Sequence, residues 1–383
     1  MPNSSSATAI TSRNVQASRL GFFIAGFGLA LWAPLVPYVR ARIPMSDGVF
    51  GLMLLCIGIG SLLFMPMTAL FSSRVGIRGC IIGSTLILLI ALFLMNYTHS
   101  LYWLGLALFL FGGSLGLLDV VLNIQGLVVE QGLKRSILPN LHGIFSLGTI
   151  SGALLLTLCL MAGLAIEYSL LLMMAVLLIA VTLGYPGFLS DKTKASGSSF
   201  MKPTPLVALI GGMCFIVYLA EGAVLDWSAL FLIKQKEMLS SQAGLGYASF
   251  SLMVMLGRFM GSQIVAYFGV VKTVVLGGLI AALGIGLSIL APHWTLALIG
   301  YGICGLGCAN ISPVLISSLS QQQLMPTHLA VAAATTIGYA GVLAGPALLG
   351  GVAQLSSLTA AFIALAVLLL MVSVLGSFYQ RMQ

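Results

Sequence analysis

Apolar residues run along this chain in long unbroken stretches. Charges and Pro/Gly clusters interrupt them and leave twelve runs, at about 19–39, 48–72, 79–97, 101–128, 137–162, 166–188, 206–233, 243–267, 272–291, 294–319, 328–352 and 356–379. Runs of this length match the ~20 apolar residues a helix needs to cross a bilayer. In hydrocarbon every backbone polar group must be satisfied internally, which leaves helices or closed barrels. Long runs select helices, so the pattern predicts an all-α membrane protein with twelve transmembrane helices. The longest polar interruption, SDKTKASGSSFMKPTP at 190–205, splits the runs six and six. Its Ser/Gly/Lys composition reads as a linker. The expected units are a six-helix bundle at 1–189, a cytoplasmic linker at 190–205 and a second six-helix bundle at 206–383.

Composition agrees. The chain is 60% hydrophobic and 6% charged, with 16 basic and 8 acidic side chains, against about 25% charged in soluble domains. So few charges cannot cover a globule of this size, which excludes a soluble enzyme and a disordered chain. The net charge of +8 would hint at nucleic acid in a soluble protein. Here its distribution explains it. With the N-terminus inside, the cytoplasmic loops receive Arg13, Arg19, Arg74, Arg78, Lys134, Arg135, Lys192, Lys194, Lys202, Lys272 and Arg381, with Arg258 near an inner span end. The outside receives Arg40, Arg42, Lys234 and Lys236. This positive-inside bias predicts an inner-membrane protein with both termini cytoplasmic. Residues 1–18, polar and without a cleavage site beyond the first run, read as a retained tail. The six cysteines fall in apolar runs with no CxxC pair, so no metal site is expected.

The two halves repeat at an offset near 192. Gly51 meets Gly244, Gly76 meets Gly269, Gly148 meets Gly341 and Gly152 meets Gly345 at 193, while Gly116 meets Gly307 and Asp119 meets Asn310 at 191. Two parallel halves imply a pseudo-two-fold axis along the membrane normal, the layout of transporters that rock about a midplane site.

Between runs two and three lies Ala69-Leu70-Phe71-Ser72-Ser73-Arg74-Val75-Gly76-Ile77-Arg78. It resembles the G-x-x-x-D-R-x-G-R-R motif of the major facilitator superfamily, with Arg74, Gly76 and Arg78 matching and Ser73 in place of the acid. A degenerate second copy runs from Gly257-Arg258 to Gly269, and Gly341-x-x-x-Gly345-Pro346 resembles a glycine-proline packing motif of that superfamily. Asp119-x-x-x-Asn123-x-Gln125, His142-Gly143-x-Phe145-Ser146, and Glu221-Gly222 with Asp226-Trp227-Ser228 look like a bacterial branch related to fucose permeases. The resemblance implies the major facilitator fold. It implies that runs one, four, seven and ten line a cavity, and that Arg74, Gly76, Arg78, Arg258, Gly345 and Pro346 belong to conformational-gating motifs.

Of the eight acids, Asp47, Glu130, Glu167, Asp191 and Glu237 fall at loops or span ends and read as solvated surface. Asp119, Glu221 and Asp226 lie within spans. A charge at the bilayer centre costs about 2.5–3.5 kcal/mol on insertion scales, so each needs a cavity or a partner. Asp119 and Asn123 share a helix face and offer acceptor and donor groups suited to a polyhydroxyl or amide cargo; an interhelical structural bond is the alternative. Glu221 carries the same two readings. Asp226, nearer the outside, could pair with Arg40 or Arg42 as an outer gate. His142 could relay protons or pack, and Arg258 could snorkel, gate or bind cargo. Trp32 and Trp227 offer ring faces for sugars or cations, or anchor at the interface. Tyr301, Asn310 and Tyr339 add polar handles.

Gly300-Tyr301-Gly302-Ile303-Cys304-Gly305 matches a dinucleotide fingerprint in letters only, since no strand precedes it. No Walker A pattern and no catalytic set appear. The reading is therefore not an enzyme and needs no cofactor. It is a secondary active transporter, coupled to protons, that takes up a small polar solute, sugar-like or otherwise neutral or cationic. Proton-antiport efflux of a drug, siderophore or other metabolite is the alternative, and a facilitator a further one. The expected partners are substrate, protons and lipid, with no nucleic acid, and the expected state is a monomer.

Overall fold

The computed structural model describes residues 10–382 apart from 135–136, 192–201, 321 and 324. Most of the predicted linker therefore lies outside the described residues. What is described is helical almost throughout. The first half contains α1 (Ser12–Ala30), α2 (Trp32–Arg42), α3 (Asp47–Tyr97), α4 (Leu101–Leu133), α5 (Leu138–Met161) and α6 (Ile166–Gly184). The second contains α7 (Pro205–Lys236), α8 (Leu245–Phe259), α9 (Gly261–Leu290), α10 (Trp294–Cys308), α11 (Ile311–Ser318), α12 (Thr327–Leu355) and α13 (Leu358–Met382).

Ten helical stretches among the described residues are long and apolar enough to cross a membrane, where the run pattern predicted twelve. The difference has a local cause. The 51 residues of α3 are more than twice the ~20 that one crossing needs, and they comprise two helices in series. The break falls at Gly76, whose φ of 75° and ψ of 171° are not helical. Gly269 breaks α9 in the same way, with φ 74° and ψ 172°. Only glycine adopts this conformation at no steric cost. The stretch before Gly269 continues α8, which alone has only 15 residues. Two further breaks follow from proline. Pro34 cannot donate to the Ala30 carbonyl, nor Pro313 to that of Ala309, and the helix ladders part at those turns.

Glycines let the helices approach closely. A methyl group at Gly112 would strike the Ile57 carbonyl, and one at Gly305 the Phe250 carbonyl. Both positions of the second pair lie 193 residues beyond the first. The two halves meet where α2 packs on α7, α5 on α8, and α12 on the first part of α3. Pro346 and Gly350 of α12 lie against Gly51, while Gly341 and Gly345 press the same helix onto Phe215 and Leu219 of α7. The glycine-proline motif is thus a packing strip shared by two helices.

Candidate functional site: the seam between the halves

Midway along the seam, Asp119 of α4 faces α12. The Tyr339 hydroxyl, from the other half, lies within electrostatic reach of its carboxylate. Asn123, one turn on, donates to the Asp119 carbonyl at 2.8 Å and to Oδ1 at 3.3 Å. The Tyr339 ring stacks on Tyr218 of α7, with centroids 5.5 Å apart and planes 26° apart. Tyr339 is 38% exposed, so one face of this aromatic pair is open. Tyr218 is not among the residues the sequence singles out, although it stands three residues before Glu221 and so shares its helix face.

Glu221 forms an ion pair with Arg258 of α8, Oε1 to Nη2, at 3.5 Å. Sequence distance hides this partner, since 37 residues separate two positions that face each other across adjacent helices. The pair is loose, with side-chain exposures of 35% for Arg258 and 27% for Glu221. His142 is exposed, lies in the field of Arg258 and meets the Phe22 ring edge-on at 5.2 Å. Below Arg258 a cavity of about 390 Å³ is lined by Ser262, Val270, Asn310, Pro313 and Ser317.

The other candidates, apart from Asn310 of the cavity wall, lie elsewhere. Trp32 and Trp227 are fully buried and both meet Phe50, Trp32 stacked at 6.4 Å and Trp227 edge-on at 5.1 Å. Trp32 Nε1 donates to Asp226 Oδ1 at 2.8 Å. Asp226 therefore crosses the seam to an indole and not to Arg40 or Arg42. Arg42 instead bonds the carbonyls of Met95 and Asn96. Tyr301 is buried beside Phe362. Asn310 donates to the Gly257 carbonyl at 2.8 Å, bracing the break between α10 and α11 against α8.

Two acids that the sequence assigns to solvated surface have defined work. Glu130 accepts from the backbone N–H groups of Ile137 at 2.6 Å and Leu138 at 3.0 Å, capping α5. Asp47 begins α3 and accepts from Arg40 at 2.9 Å and from Lys234 of α7 at 2.9 and 3.1 Å. Nothing in the sequence motif marks Asp47; its seven-residue spacing from Arg40 spans a turn that folding has to close.

At the opposite end, Gly76 turns the chain so that Ile77 and Arg78 donate from their backbone to Asp191 and Leu189. The Arg78 guanidinium donates twice to the Phe188 carbonyl, at 2.9 and 2.7 Å, and lies over the Tyr185 ring. Gln125, part of the Asp119 motif, donates to Ser18 and accepts from Leu189. These contacts stay within the first half. Arg74 is exposed.

Apolar spans, glycine-packed helices and a polar seam define a multi-pass membrane transporter. No family model matches the chain. An MFS-type transporter of Yersinia pestis is 41% identical over 358 residues, 93% of each chain. The membrane protein MosC of Rhizobium meliloti is 28% identical over 372 residues, 96% of this chain and 90% of MosC. The chain belongs to the major facilitator superfamily. Among solved structures, a point-mutant form of the nucleoside transporter NupG superposes with a TM-score of 0.77 at 12% identity, covering 97% of this chain and all of that one. The human organic anion transporter MFSD10 gives 0.65 at 17% identity, over 95% and 99% of the two chains. At such identities these two report the fold alone.

Proposed function

We propose that the chain is a twelve-span secondary active transporter that moves a small polar solute by alternating access between two pseudo-symmetric bundles. Several observations support the span count and symmetry. Gly76 and Gly269 share one unusual backbone conformation, and the Gly112–Ile57 and Gly305–Phe250 approaches recur at the same offset. Counting the two glycine breaks as turns gives six spans per half. The basic loops support a cytoplasmic Gly76 end, with both termini on that side of the inner membrane.

One observation carries the functional reading. A carboxylate and a tyrosine from opposite halves, Asp119 and Tyr339, lie within electrostatic reach of each other inside spans, beside a loose Glu221–Arg258 pair. Such groups persist at this depth when they serve a pathway. The polar set offers acceptors from Asp119 and Glu221, donors from Asn123 and Arg258, and an open ring face on Tyr339. Two carboxylates stand against one guanidinium, which disfavours an anionic solute and favours a neutral or cationic, hydroxylated one with a ring face to stack on Tyr339. The nucleoside carried by NupG, by that protein's name, has this chemistry. Asp119 and Glu221 are the candidates to exchange protons.

Thermal unfolding of the purified protein against uridine, other nucleosides and monosaccharides tests the solute class, since a ligand of the folded state raises Tm by mass action. Proteoliposomes with an imposed pH gradient then test coupling with the hit. Asp119→Asn keeps the shape and removes the titrating group; it should abolish gradient-driven accumulation while exchange persists. Unchanged accumulation in both Asp119→Asn and Glu221→Gln would remove these acids from coupling. Accumulation driven out of the vesicle lumen rather than inward reports efflux.

A further inference from the structure

We propose that Arg40, Asp47 and Lys234 form an electrostatic latch between the halves in which the two cations act in opposite senses: Lys234 holds the Asp47 end shut and Arg40 promotes its release. This deepens the transport reading, because it names the residues that set how readily one end opens.

The geometry is one carboxylate shared by two cations. Arg40 comes from α2 of the same half as Asp47, and Lys234 comes from α7 of the other. Both reach Asp47 Oδ1 at 2.9 Å. Around them the seam is tight. Gln354 of α12 accepts from the Gly48 N–H at 3.2 Å, Arg40 lies over the Phe50 ring at 5.0 Å, and Phe50 meets Trp227 edge-on. Side-chain exposure is 13% for Arg40, 16% for Asp47 and 41% for Lys234.

Consider what changes when the halves part at this end. Lys234 leaves with its half and gains water, being already the most exposed member. Asp47 loses that contact but keeps Arg40, so the open end does not strand a bare carboxylate. The closed end also places two cations on one oxygen, and their mutual repulsion is present only when closed. Removing Lys234 removes the attraction across the seam and favours opening. Removing Arg40 relieves the repulsion and leaves Asp47 uncompensated on opening, so it favours closure. Removing the Asp47 charge leaves two cations facing each other across the seam, which favours opening most. A cluster that merely held the fold together would give loosening for every member.

Hydrogen exchange on the full chain in lipid nanodiscs reads this directly, because exchange tracks the open population. The peptides to follow are 31–50 from one half and 227–246 from the other. Lys234→Met should speed exchange in both by about two- to fivefold, the range of a partly exposed pair. Asp47→Asn should exceed it, and adding Lys234→Met to Asp47→Asn should bring exchange back toward the Lys234→Met level by removing one of the facing cations. Arg40→Gln should slow exchange in both peptides. Around 254–262, at the other end of the seam, the sign should reverse in each variant, since opening one end closes the other. Faster exchange in Arg40→Gln, or changes confined to peptide 31–50, would overturn the latch and leave a local brace. If Asp47→Asn fails to fold, the opposite signs of Lys234→Met and Arg40→Gln decide the matter alone. Solute binding plays no part in this readout, so it can fail while the solute reading stands.

Discussion

The two ends of the molecule use charge and hydrogen bonding differently. At the Asp47 end the polar contacts run between halves: Lys234 to Asp47, Trp32 to Asp226, and Gln354 to Gly48. At the Gly76 end the bonds seen among the described residues include several within a half: Arg78 to Phe188, Gln125 to Leu189, and Asn14 to Gly187. Arg258, His142 and Tyr339 remain exposed toward that end. Among the described residues, the ion pair that joins the halves lies at the Asp47 end and not at the end richest in basic residues. On the alternating-access reading proposed above, bonds inside a half stiffen a body that moves as a unit, whereas bonds across the seam are made and broken as the seam opens. One end is braced and the other latched.

The largest effect should come from wedging the latched end. Gly51 of α3 touches Gly350 and Pro346 of α12 with no room for a side chain. Gly51→Leu would overpack the contact by about 1–3 kcal/mol, shifting the open-to-closed ratio by about five- to 150-fold. Exchange in peptide 31–50 should rise accordingly, and solute accumulation should collapse. The counterpart, Gly269→Ala, has free space around it and meets only backbone strain. It should lower Tm without separating the halves. Equal effects of the two substitutions on the seam would erase the contrast between the ends.

Next comes Trp32. Trp32→Phe keeps a ring beside Phe50 but removes the donor to Asp226, leaving a buried acceptor unpaired at about 1–3 kcal/mol. Asp226→Asn keeps an acceptor oxygen for the same indole. The expected order of Tm is wild type, then Asp226→Asn, then Trp32→Phe lowest. The reverse order would show that the charge of Asp226, and not its bond, matters.

The braced end predicts a third outcome. Arg78→Lys keeps the charge but loses the forked donation to Phe188, and hydrogen bonds from charged groups contribute about 1.5–3 kcal/mol. Exchange should rise in residues 185–191 while peptides 31–50 and 227–246 stay unchanged. Movement at the far end would mean that the Arg78 contact is coupled to the seam after all.

Much of the architecture is legible in the sequence because apolar runs report lipid, and glycine reports close backbone approach, one position at a time. The turns at Gly76 and Gly269 are visible as repeat partners. That each is a sharp break with almost no loop around it is not visible, because hydropathy does not mark where one residue alone turns the chain. The site is legible only in part. Asp119, Asn123 and Glu221 announce themselves by their cost in a span. The pairings of Asp119 with Tyr339 and of Glu221 with Arg258 join different helices, and such pairing depends on packing that no local pattern encodes. Asp47 stays hidden for a plainer reason. An acid at a helix start is ordinary, and a solvated role is the default reading for such a position.

The smallest effect tests the latch by salt. Lys234 is 41% exposed at its side chain, and exposed pairs contribute about 0–1 kcal/mol. Raising ionic strength from about 0.1 M to about 1 M shortens the screening length from about 10 Å to about 3 Å. The attraction across the seam and the repulsion between the two cations are screened together, so their difference moves little. Exchange in peptides 31–50 and 227–246 should rise by less than about twofold. The Trp32–Asp226 bond is buried and should not respond, so peptides around it should keep their slowest amides protected at high salt. In Lys234→Met the attraction is already gone, and the same salt step should leave exchange at the Asp47 end unchanged. A salt response as large in Lys234→Met as in the unaltered protein would place the sensitivity elsewhere, and the contrast between a latched end and a braced end would then rest on packing at Gly51 and Gly350 rather than on charge.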